Sequence, residues 1–211
     1  MPILVIGGHT RNIGKTSVVA GLIAALPHLN WTAIKITQFG HNVCSANGEP
    51  CDCQTPDHTI AISEERDATT GTDTSRFLAA GARRVFWVRT RQGQLAEAMP
   101  RLRQLIAGSE NTILESNSIL RFLQPDLSLS VLDPTIADFK PSALGYLDRT
   151  DALILPTGTT LESLTRAWPI VSPQLLARKP LFYTTPPTYT SPELIQFVST
   201  HLATPKLTTR N

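Results

Sequence analysis

The residues best suited to chemistry stand together near the start of the chain: Gly7-Gly8-His9-Thr10-Arg11-Asn12-Ile13-Gly14-Lys15-Thr16-Ser17. They follow a β-branched run, Ile3 to Ile6, and lead into a helical pattern that ends near Leu26. A strand, a glycine-bounded loop, Lys-Thr and a helix make a cradle for polyphosphate. Backbone N–H groups and the helix N-terminus face the anion, the lysine reaches its β and γ oxygens, and the hydroxyl ligates Mg²⁺. Gly8 lies six residues before Gly14, one more than in the common pattern, and His9 holds the usual glycine position. The expected cradle for ATP or GTP is Gly8, His9, Thr10, Arg11, Asn12, Ile13, Gly14, Lys15, Thr16 and Ser17.

Such a site also needs a carboxylate near the metal. Glu115 ends the apolar run Thr112-Ile113-Leu114, Asp133 ends Leu129-Ser130-Val131-Leu132, and Asp73 opens a predicted helix. Each also has a plain role as a strand-end or helix-cap carboxylate. Lys35 closes the second predicted strand, where it neutralises phosphate or a substrate carboxylate, or is simply solvated. Arg11 can bring charge to a transferred phosphoryl group. Ser116, Asn117 and Ser118 either bond a substrate or cap the next helix.

All three cysteines fall in one irregular stretch, 39–66, as Cys44, Cys51 and Cys53, with His41 before them and His58 beyond. A structureless loop of this length is uncommon unless it has a function or is otherwise tied down. Three thiolates and an imidazole suit tetrahedral zinc, and an iron–sulfur centre would need one more ligand or a partner. Free thiols or a disulfide are the plainer alternatives. No Asn-Lys-x-Asp guanine signature appears, which favours ATP over GTP.

Positioning these residues requires a scaffold. The 211 residues suit one domain with a substantial core, carrying the cysteine stretch as an insert. The chain is 41% hydrophobic and 17% charged, a globular composition. A net charge of +2 excludes strong attraction to nucleic acid or to a membrane surface, and no apolar run is long enough to span a bilayer. The start has no basic region ahead of its apolar run, so a cytoplasmic location is expected. Strands are predicted at 3–7, 32–36, 84–88, 111–115, 128–132, 152–156 and 180–184. Helices are predicted at 15–26, 73–81, 93–107, 160–167 and 191–202, the last with Ser191 as cap and Pro192 at its first position. The alternation implies a three-layer α/β sandwich with a mostly parallel sheet, which binds ligands beyond the carboxyl ends of its strands.

The segment Val5 to Thr16 resembles the lengthened phosphate loop of dethiobiotin synthetases and cobyrinic acid amidotransferases. Ala33-Ile34-Lys35-Ile36 is similar to the second strand of dethiobiotin synthetase and of the MobB-type accessory proteins of molybdopterin-guanine dinucleotide biosynthesis. Gly71-Thr-Asp-Thr-Ser-Arg-Phe-Leu-Ala-Ala-Gly-Ala82 looks most like the MobB type, and Thr112-Ile-Leu-Glu-Ser116 is similar to a strand of both. The likeness covers roughly residues 3–120. It implies a P-loop NTPase of Mrp/MinD-like layout, a homodimer, and a catalytic set of Lys15, Lys35, Asp73 and Glu115, with Thr16, Asp73 and Glu115 around Mg²⁺. Thr10 stands where dethiobiotin synthetases carry aspartate, and Ser116-Asn117-Ser118 where they carry a glycine-rich loop. The implied activities are nucleotide hydrolysis by an accessory protein of cofactor assembly, or a ligase or kinase acting on a small carboxylic acid. A metal-binding or redox-sensing module is a third.

Overall fold

The computed structural model describes residues 1–39 and 60–203. Along the chain come β1 (Ile3–Gly8), α1 (Lys15–Ala25), β2 (Trp31–Phe39), β3 (Ile60–Glu65), α2 (Asp73–Ala79), β4 (Arg84–Arg91), α3 (Leu95–Ala107), β5 (Asn111–Glu115), β6 (Leu127–Val131), α4 (Pro141–Leu144), β7 (Ala152–Pro156), α5 (Leu161–Ala167), α6 (Pro173–Ala177), β8 (Leu181–Thr184) and α7 (Pro192–Ala203). The strands form one sheet in the order β3-β4-β2-β5-β1-β6-β7-β8. Every pairing is parallel except β3 on β4.

Period-2 alternation explains why near-continuous apolar strands form this sheet. Leu4 and Ile6 of β1 join a core with Val18 and Leu22 of α1 and Leu194 and Val198 of α7. Val5, between them, enters a core built with Leu95, Leu102 and Ile106 of α3. In β7, Ala152 and Ile154 belong to the first core, whereas Leu153 and Leu155 pack with Leu164 of α5, Trp168 and Leu176 of α6. Both faces of the sheet are therefore covered by helices, giving the three layers expected.

The differences from expectation have local causes. Residues 60–65, expected within the irregular stretch, form the antiparallel edge strand β3. Its Ile60 and Ile62 pack against the α3-side core, while Glu64 and Glu65 give it the charged character typical of an edge. Lys35 does not close β2, which runs on to Phe39. It still reaches the ligand edge, because neighbouring β5 stops at Glu115, directly opposite Lys35 in register. The helices α4 and α6 span only four and five residues, too short to leave a periodic signal. Ser191 caps α7 as expected, its hydroxyl accepting from Leu194 N at 3.3 Å. Among the described residues no helix is long and apolar enough to cross a membrane. Cys44, Cys51, Cys53, His41 and His58 lie outside the described residues, and so does the expected zinc or iron–sulfur site.

Candidate functional site

The loop between β1 and α1 is shaped by backbone demands. Asn12 has φ 58° and Gly14 φ 88°, both left-handed, and Gly14 turns the chain directly into α1. A Cβ on Gly14 would stand 2.5 Å from the Tyr189 ring, so a side chain is excluded there twice over. At the strand end, Asn117 grips Gly8 from both sides. Its Oδ1 accepts from Gly8 N and its Nδ2 donates to Gly8 O, each at 2.8 Å. The N-terminus of α1 has no side-chain cap and no acidic residue in its first turn. Its leading N–H groups have no partner within the helix and face the cleft as a concentrated positive dipole end.

The cleft beyond the strand ends has a volume of about 1150 Å³. Thr10 to Ser17, Lys35, Asp73 and Glu115 all line it, together with Gln38, Arg76, Asn117, Ser118, Lys140 and Tyr189. The Thr16 hydroxyl donates to Glu115 Oε2 at 2.9 Å, and Lys35 Nζ reaches Glu115 Oε1 at 3.2 Å. Lys35 also pairs with Asp73, so one ammonium is shared between the two carboxylates. Glu115 is almost fully buried, whereas the Asp73 side chain is 41% exposed at the rim. Lys15 donates to the Thr10 carbonyl of its own loop. Burial is the main cause that pushes its ammonium down to about 8, with Lys140 and Lys35 adding to the effect and Glu115 opposing it.

His9 and Asp133 lie off the cleft, whereas Ile13, Ser17 and Ser116 line it and also have partners within the protein. The His9 ring turns away from the cleft into an aromatic nest, 4.6 Å from Trp168 and 5.5 Å from Phe139. Burial holds its pKa below the ordinary value, and its backbone N–H is spent on Val131 O at 3.2 Å. Ile13 is buried in the core. Ser17 accepts from Arg76 at 2.8 Å. Asp133 does not line the cleft; its Oδ1 accepts from the backbone and hydroxyl of Thr135, closing its own turn. Ser116 Oγ accepts from Ile119 N at 3.3 Å, bracing the short 3₁₀ turn Ser118–Arg121.

Lys140, Arg76 and Tyr189 were not anticipated. Arg76 was findable, since it stands one helical turn beyond Asp73 and lies 3.9 Å from it. Lys140 sits in an irregular stretch with no local signal. Among the described residues, no group of three or more His, Cys, Asp or Glu is arranged to hold a metal ion. The Thr16 hydroxyl and the Glu115 and Asp73 carboxylates are hard oxygen donors of the kind Mg²⁺ takes. They are too few to complete its shell without phosphate and water.

A loop of this shape between the first strand and first helix, at the centre of a parallel sheet covered on both faces, decides the architecture. The fold is a three-layer α/β sandwich whose first strand and first helix are joined by a loop of phosphate-binding shape. No family model and no curated protein sequence matches the chain. HypB from Helicobacter pylori, solved in complex with nickel, is similar over 95% of this chain and 85% of its own, with a TM-score of 0.49 and 14% identity. LpxK from Aquifex aeolicus, solved with ATP, matches over 86% of this chain and 53% of its own, with a TM-score of 0.46 and 18% identity. The signal recognition particle 54 kDa protein from Aeropyrum pernix K1, solved with GDP, matches over 95% and 46%, with a TM-score of 0.46 and 16% identity.

Proposed function

We propose that this chain binds a Mg²⁺-nucleoside triphosphate in the cleft and hydrolyses it, in the service of cofactor assembly. The observation that carries the reading is the uncapped N-terminus of α1 behind Gly14-Lys15-Thr16, with the Thr16 hydroxyl held against buried Glu115. Helix dipole, loop N–H groups and Lys15 together favour a polyphosphate. On binding, Lys15 exchanges the Thr10 carbonyl for phosphate oxygens. Thr16 and Glu115, with Asp73 at the rim, are the residues that would hold Mg²⁺, which when bound offsets charge on the β and γ oxygens. Glu115, its second oxygen steadied by Lys35, orients water for attack on the γ-phosphate. ATP is preferred over GTP, because the chain has no guanine signature. The MobB-like Gly71–Ala82 segment supports the cofactor-assembly role.

A second reading, a ligase or kinase acting on a small carboxylic acid, is favoured by the charge of the cleft. Among the described residues five cations line it, Arg11, Lys15, Lys35, Arg76 and Lys140, against the carboxylates of Asp73 and Glu115.

The test is calorimetric titration with Mg²⁺-ATP and Mg²⁺-GTP, followed by phosphate release with and without added small acids. Lys15→Ala is expected to weaken binding by roughly 30- to 100-fold, the worth of a charge-assisted contact, while the circular dichroism spectrum stays unchanged. Equal affinity in the variant would remove the reading.

A further inference from the structure

The cations of the cleft fall into two sets. Lys35 and Arg76 stand beside carboxylates: Lys35 is shared by Asp73 and Glu115, and Arg76 lies 3.9 Å from Asp73. Arg11 and Lys140 are different. Among the described residues neither forms an ion pair, although both line the same cleft. Asp138, the nearby carboxylate, accepts the Thr10 hydroxyl. The two cations lie close enough that Arg11 helps to lower the Lys140 pKa, after burial.

Lys140 is also held in place. Its N–H donates to His9 O at 2.9 Å, and its carbonyl accepts from Ala143 and Leu144 at 2.9 and 3.0 Å. The same segment is fastened to the phosphate loop at two further points, Asp138 on Thr10 and the Ile136 carbonyl on the His9 ring. Arg11 is exposed and Lys140 half-buried with Asp138 nearby, and an anion between the two cations would offset their mutual repulsion.

The nucleotide does not account for them. Among the described residues, five cations against two carboxylates leave a surplus of three in the cleft. A Mg²⁺-bound triphosphate carries about two negative charges, so the described lining keeps a net positive charge once the nucleotide is bound. We infer that Arg11 and Lys140 form a second anion subsite beside the phosphate loop, which holds the carboxylate or phosphate of a small acceptor molecule while the γ-phosphate is in place. The inference rests on the nucleotide reading above and extends it from hydrolysis to transfer onto an anionic acceptor.

The experiment loads wild-type protein with the non-hydrolysable Mg²⁺-AMP-PNP, which fills the γ position, and then titrates inorganic phosphate or succinate by calorimetry. One equivalent of either anion is expected to bind, and whichever binds more tightly identifies the acceptor group. In Lys140→Gln that anion affinity should fall at least tenfold, while Mg²⁺-AMP-PNP affinity falls less than threefold. Lys140→Arg should restore anion binding, which a misfolded variant would not. Absence of anion binding to the nucleotide-loaded wild type overturns the subsite. So does an equal loss of nucleotide and anion affinity in Lys140→Gln, since the cation would then belong to the triphosphate. Failure of the wild type to bind Mg²⁺-AMP-PNP overturns the nucleotide reading, and the subsite with it.

Discussion

At the scale of single residues, the state of Lys15 sets a pH dependence with a definite sign. Its ammonium sits at about 8 in the free protein because burial and the neighbouring lysines disfavour the charge. A polyphosphate needs that charge. Above pH 8 the free lysine is neutral and must take up a proton on binding. Affinity for Mg²⁺-ATP should therefore hold steady from about pH 7 to about pH 8 and then fall, by up to about tenfold per pH unit. Lys15→Arg keeps its charge throughout and should bind with no such slope, whatever its absolute affinity. Calorimetry across that range decides; a flat wild-type profile would mean that Lys15 does not meet the anion. His9 carries the opposite consequence, for stability. Its folded pKa lies below the ordinary 6.5, so the unfolded chain binds its proton first. Its contribution is whole above about pH 6.5 and declines as pH drops below that. A His9→Phe variant, which keeps a ring against Trp168, should lose less melting temperature between about pH 7 and about pH 5.5 than the wild type.

At the scale of elements, the clamp between β1 and the end of β5 is the joint most open to dissection. Gly7 owes its identity to Asn117: a Cβ there would stand 2.3 Å from Asn117 Oδ1, with the next contacts at 3.5 and 3.8 Å. Gly7→Ala should displace the amide, release both bonds to Gly8 and cost about 1–3 kcal/mol. Asn117→Ala should cost a similar amount. Adding Gly7→Ala to Asn117→Ala should then cost almost nothing, because the clash partner is gone. A double-mutant cycle by urea denaturation measures this coupling, and additive losses would refute it. The clamp also shows what a sequence hides. Asn117 was read as a substrate contact or a cap, and nothing local says that its amide faces Gly8, 109 residues away in the chain. Strands β1, β5 and β7 were legible because β-branched and aliphatic runs buried on both faces leave little else for such segments to be. Strand β3 was not, since two isoleucines followed by Ser63, Glu64 and Glu65 look the same in a loop as on an edge. The carboxylate at 115 was legible from its place at a strand terminus. Its bond to Thr16 was not, because that depends on β5 lying beside β1.

At the scale of the whole molecule, the cleft joins four parts of the chain that are remote in sequence. The loop after β1 supplies Lys15 and Thr16, β2 supplies Lys35, the end of β5 supplies Glu115, and the segment after β6 supplies Lys140. A nucleotide that bridges the first three of them binds the folded state and not the unfolded chain, so occupancy should register as global stability. At a nucleotide concentration about 100 times its dissociation constant the gain is about 2.7 kcal/mol. For a chain of this length that corresponds to a rise in melting temperature of roughly 5–10 °C. The rise should need Mg²⁺, since Thr16 and Glu115 otherwise satisfy each other directly and leave the triphosphate charge uncompensated. Chelation should therefore abolish most of the shift while leaving the melting temperature of the ligand-free protein in place. Thr16→Ala should show the same loss with Mg²⁺ present, because it removes the hydroxyl without touching the lysine. A full shift in the presence of chelator would place the nucleotide on the cations alone and remove Thr16 and Glu115 from the metal's coordination.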